Sequence, residues 1–232
     1  DKIAGIFTEP IVMFNGTSKF PPKSSDWLIP LFIYLVVMIA GFIVQMNNAT
    51  IKQDYKNKIL PKVEQQIKKQ IESGQIQEEK RESTIEMATN MAIISGYVFR
   101  PIGFLFFFFL FATIVFLVSK YALRGQGTYS AALVSLSLPF YISIISTIIT
   151  IIISYVTSRF INSPNFTEIF NINSSSIIGK LLMLLDVFQF WYLIIMSIGL
   201  SKMFKSTSLK KYIITFVGLW IIIMIPIFLF LM

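Results

Sequence analysis

One carboxylate stands inside the apolar part of this chain. Asp186 interrupts the run Leu181 to Ser201. An acid so placed costs about 2.5–3.5 kcal/mol on insertion scales, so it must face neighbouring helices, meet a cation or hold a proton. Proton or ion coupling is the chemistry it could do; an ion pair with Arg100, Lys120 or Arg124 is the structural alternative. Intramembrane aspartyl hydrolysis needs two carboxylates, and no second one lies in an apolar run. The chain has no cysteine and no histidine. That inventory excludes thiolate and Ser-His chemistry, disulfides and the usual zinc sites. No cofactor is expected, and the chain reads as a non-enzyme.

A second polar pattern lies in the third apolar run. Ser135, Pro139, Ser143, Thr147, Thr150, Ser154 and Thr157 recur every three or four residues and fall on one helical stripe. Small hydroxylated residues let membrane helices approach closely and bond across the contact, while a water- or headgroup-lined path is the sharper alternative. Pro139 breaks the backbone ladder locally and frees a carbonyl. A tight cluster, Lys202, Lys205, Lys210 and Lys211, is suited to anionic headgroups at about 1 kcal/mol per lysine, or serves as a topology signal.

These residues must be positioned by apolar elements. The runs Trp27 to Val44, Ile102 to Ser119, Gly125 to Ser158 and Tyr212 to Met232 are uncharged, and Leu181 to Ser201 carries only Asp186. A hydrocarbon core of about 30 Å takes roughly 20 residues of helix, so each run is long enough to cross it. Of 232 residues, 55% are hydrophobic and 14% charged, with 23 Phe, a composition of membrane rather than soluble domains. The expected architecture is an all-α integral membrane protein with five transmembrane helices, at about 27–46, 101–120, 131–157, 180–200 and 212–232. A helical-hairpin insert, 50–98, separates the first two. Residues 1–26 form a cytoplasmic or interfacial segment, and the first span is read as retained.

The insert has helical periodicity. Ile59, Val63, Ile67 and Ile71 recur every four residues, with Pro61 near the start and Ser73-Gly74 at the end, which predicts a helix over about 61–73. Glu78, Glu79 and Glu82 open a second, about 77–95, with Ile85, Ala88, Met91 and Ala92 on one face. No breaker precedes Arg100-Pro101, so this helix heads towards the second span. Between Lys62 and Glu82 five basic and five acidic residues balance, which argues against nucleic acid as a ligand. The expected partners are membrane lipids, a protein docked on the hairpin, and a second copy of the chain.

Net charge is +8. In the short links, six basic residues (Lys120, Arg124 and the four clustered lysines) oppose two (Arg159, Lys180), which places the N-terminus in the cytoplasm.

The order of elements resembles a known family. Glu9-Pro10 precedes the first run and a helical insert follows it. Gly125-Gln126-Gly127-Thr128-Tyr129 then leads into a run with Pro139. Last, Asp186-Val187-Phe188-Gln189-Phe190-Trp191 runs on to Gly199-Leu200. In this the chain is similar to a prokaryotic member of the Yip family, named for Ypt/Rab-interacting membrane proteins of the early secretory pathway. The Asp-x-Phe-x-x-Trp segment, with Trp191, carries most of the likeness. The resemblance implies five spans, a cytoplasmic N-terminus and a non-enzymatic role. In the eukaryotic branch that role is trafficking with small GTPases. The Ile, Lys and Asn bias looks bacterial and places the chain in an inner membrane, where Rab proteins are not expected. A membrane scaffold or adaptor is the resulting expectation, and a transporter or lipid-moving protein using the hydroxyl stripe and Asp186 is the alternative.

Overall fold

Asn48 closes one long helix and opens the next. The computed structural model describes residues 2–173 and 176–226. Its first long helix, α3 (Ser24–Asn47), follows two short ones, α1 (Lys2–Thr8) and α2 (Pro10–Thr17). The Asn48 side chain then accepts the N–H groups of Thr50 and Ile51 at 3.0 and 3.1 Å, starting α4 (Ala49–Glu72). This corrects the expected start near Pro61, which lies inside α4. The cap decides the boundary, because it satisfies two otherwise orphaned donors twelve residues earlier. Ile51, fully buried, joins Phe42, Met46, Ile93 and Phe160 in a small cluster that holds α4 against the bundle.

The next helix, α5, runs unbroken over Arg81–Leu117 and passes through Pro101. A proline removes one ladder bond, which long flanking helix tolerates here, and the helix expected over about 77–95 runs straight into the second span, as the lack of a breaker before Arg100-Pro101 implied. Its 37 residues span about 55 Å, nearly twice a hydrocarbon core, so much of α5 must project from the membrane. α4 packs on the projecting part. Ile67 is buried between them and Ile85, Ala88 and Ala92 are half-buried, but Met91, expected on that face, is 57% exposed.

The third apolar run divides at Leu138-Pro139 into α6 (Tyr129–Ser137), capped by Thr128, and α7 (Phe140–Thr157). A four-residue helix, α8 (Phe166–Ile169), leads to α9 (Ile177–Met183). The fourth run is also interrupted. α9 and α10 (Val187–Met203) meet at 45°. Asp186 causes the break: its Oδ1 accepts the N–H groups of Phe188 and Gln189 at 2.9 and 3.2 Å, so the acid caps a helix instead of standing mid-span.

Three helical stretches, Ser24–Asn47, Glu78–Ala122 and Tyr129–Thr157, are long and apolar enough to cross a bilayer, and α9 with α10 makes a fourth if counted together. The expected fifth, 212–232, corresponds to α11 (Leu209–Pro226) and continues over 227–232, outside the described residues. Among the described residues, α10 is the hub, packed by α2, α6, α7 and α11. The N-terminal segment contributes to this core. Ile6 and Phe14 are fully buried, and a Cβ on Gly199 would lie 2.8 Å from the Phe14 ring.

Candidate functional site

Four elements enclose a polar cavity of about 520 Å³ between apolar helices. α3 contributes Tyr34, Gly41 and Gln45; α5 contributes Arg100 and Gly103; α7 contributes its hydroxyls. Residues 161–163 and the α9–α10 break close one end. Five of the residues singled out by sequence meet here: Arg100, Ser143, Thr147, Thr150 and Asp186. Pro139 and Trp191 do not line it. Pro139 sits at the α6–α7 break, and Trp191 packs edge-on against Phe7 at 5.8 Å. The lysine cluster also lies elsewhere, at the end of α10, in the link after it and in the first turn of α11, with Lys205, Lys210 and Lys211 exposed and Lys202 half-buried.

The hydroxyl stripe is mostly satisfied within its own helices. Thr147 donates to the Ser143 carbonyl at 2.9 Å, Thr150 to Ser146 at 2.8 Å, Thr157 to Ile153 at 2.7 Å, and Ser135 to Ala131 at 2.8 Å. Such back-bonding lets a hydroxyl sit at a helix contact without a cross-helix partner. Ser143 has no hydroxyl partner among the described residues, and Ser154 bonds across helices. Its Oγ accepts the Gln45 amide at 3.0 Å and the Ile161 N–H at 3.2 Å, while Gln45 also donates to the Ile161 carbonyl at 3.1 Å. This buried knot ties α3 to α7. Sequence reading missed Gln45, although an uncharged amide at the end of an apolar run was a visible signal.

Arg100 meets only neutral groups. It donates to Asn162 Oδ1 and lies over the Phe42 ring, 5.1 Å from its centroid. Of the ion pairs among the described residues, none involves Arg100 or Asp186, so the expected pairing of Asp186 with Arg100, Lys120 or Arg124 is replaced by the helix cap. A larger cleft, about 1130 Å³, opens between α1, α2 and the start of α3, where Lys2 pairs with Asp26 at 2.6 Å; none of the candidate residues lines it.

The family model of the Yip1 domain matches residues 4–231. The chain belongs to the Yip1-domain family. The match runs from within α1 through α11, so the α4–α5 pair and the polar cavity both lie within the Yip1 domain. No curated protein and no solved structure matches the chain. The Yip1 domain is a membrane domain, and the apolar helices of this chain make it an integral membrane protein with several such helices.

A second surface of the Yip1 domain escaped the sequence reading. Met87, Met91, Ile94 and Val98 on α5 are 62, 57, 54 and 49% exposed. Their spacing of four, three and four residues puts them on one face, opposite the buried Thr89 and Ile93. Met87 lies about 22 Å along the helix from Ile102, where the uncharged run begins. Headgroup layers are only about 5–8 Å thick each, so with the hydrocarbon edge set at Ile102 the outer part of the stripe falls beyond them.

Proposed function

We propose that this Yip1-domain protein is a non-enzymatic membrane scaffold or adaptor, rooted in the bilayer and engaging a partner protein through the α4–α5 arm. The exposed Met87, Met91 and Ile94 carry this reading, because apolar side chains held beyond the headgroups have no hydrocarbon to cover them. The charge bias of the short links supports a cytoplasmic N-terminus with the arm on the opposite side, and the Ile, Lys and Asn bias supports a bacterial inner membrane.

The chain is free of cysteine, so Met91→Cys supplies a single attachment point. A membrane-impermeant thiol reagent carrying a photo-crosslinker is expected to attach from outside and yield one protein adduct of discrete mass, absent when Gln65→Cys on α4 is used instead. Adducts with lipid alone would remove the adaptor reading, and attachment only after permeabilisation would invert the topology.

The cavity favours a second reading, a transporter or lipid-moving protein. Asp186→Asn separates the two, since Asn caps helices as well as Asp does. The adaptor reading expects unchanged melting and an intact partner adduct. Loss of a transport activity, with the fold intact, would put the second reading first.

A further inference from the structure

Arg100 is a cation without an anion. Its guanidinium has five donors, yet it is engaged by one amide oxygen and a ring face, and among the described residues no carboxylate lies within ion-pair distance. Asp186 lines the same cavity, but its Oδ1 is committed to the α10 cap. Further donors face the space: the hydroxyls of Ser143 and Ser146 and the amide of Gln189 have no hydrogen-bond partner among the described residues. A partly desolvated guanidinium with free neutral donors opposite it is an anion site by chemistry, because the charge is costly until it is paired.

The shape of the cavity says where the anion comes from. On one side α3 and α7 are in contact, and a Cβ on Gly41 would lie 3.1 Å from Ile151 and 3.2 Å from Thr147. On the other side is a mouth. A Cβ on Gly103 would meet nothing within 4 Å, and Phe99 and Phe107, one turn to either side, are 69% and 64% exposed. Phe107 lies five residues into the uncharged run, at acyl-chain depth, and Phe99 lies three residues before it, at interface depth. Arg100 itself sits two residues before the uncharged run, at the depth of the membrane interface where lipid phosphates are found.

We propose that this cavity binds the phosphate of a membrane lipid, which enters sideways past Gly103 with its headgroup against Arg100 and its chains along Phe107. The volume of about 520 Å³ suits a headgroup and not a whole lipid. The proposal goes beyond the adaptor reading and does not depend on it.

Native mass spectrometry of the full chain in mild detergent tests it, with dioleoyl phosphatidylglycerol and dioleoylglycerol as probes. Wild type is expected to retain the phospholipid and not the phosphate-free glyceride. Arg100→Gln should weaken retention about tenfold, the loss of one charge-assisted contact. Gly103→Leu should weaken it as much by filling the mouth, and it has open space around its Cβ, so it stays informative if Arg100→Gln does not fold. Lys210→Gln with Lys211→Gln should change nothing. Equal retention by wild type and a normally melting Gly103→Leu protein would overturn the proposal, as would equal retention of the glyceride. Displacement of the phospholipid by millimolar inorganic phosphate would assign the site to a soluble anion and overturn the lipid.

Discussion

Gly127→Val is expected to lower stability by about 3 kcal/mol or more, seen as a fall of about 10 °C in the melting midpoint of the detergent-purified protein. A Cβ at Gly127 would lie 2.6 Å from Cγ of Phe204 and 2.7 Å from both Cδ atoms. The ring cannot step aside easily. Phe204 is fully buried, its carbonyl accepts the Gln126 N–H at 2.9 Å, and its ring packs against Phe116 with centroids 6.3 Å apart. Gly125 is equally confined, with a Cβ 2.8 Å from Phe204 Cβ and 2.7 Å from the Tyr212 hydroxyl. The Gly-Gln-Gly turn therefore exists to let the chain pass over one aromatic ring. Phe204→Leu should rescue much of the loss in the Gly127→Val background, since it clears the clash, although alone it costs stability by leaving a void. An unaltered midpoint for Gly127→Val would mean that the turn does not meet Phe204.

The helical class and the positions of the apolar runs were legible in the sequence, because hydropathy over about 20 residues is a local property. The resemblance carried by Asp186 to Trp191 and Gly199-Leu200 pointed to the family that the Yip1-domain match establishes. Boundaries set by single side chains were not legible. Asp186 reads as an acid inside a span until its Oδ1 is seen on the Phe188 and Gln189 N–H groups. Pro61 reads as the start of a helix, yet it lies inside α4, whose start is fixed by Asn48. Gathering Arg100 with Ser143, Thr147 and Thr150 depends on how α3, α5 and α7 pack, which hydropathy does not encode. The Met91 stripe was misassigned for a related reason. Thr89 and Ile93, not Met91, take the buried face of α5, and the helix turns its most flexible apolar side chains outward.

The stripe should control partner binding without affecting the fold. Met91 and Ile94 are more than half exposed, so replacing both by serine removes apolar surface without opening a cavity, and surface changes of this kind usually shift stability by less than about 0.5 kcal/mol. A partner that buries both side chains loses several kcal/mol of contact, a weakening of about a hundredfold or more. The decisive measurement is the size of the assembly extracted gently from native membranes, wild type against Met91→Ser with Ile94→Ser. The adaptor account predicts a heavier complex for wild type and the chain alone for the double variant, with equal membrane insertion and melting. The same complex from both proteins would contradict it.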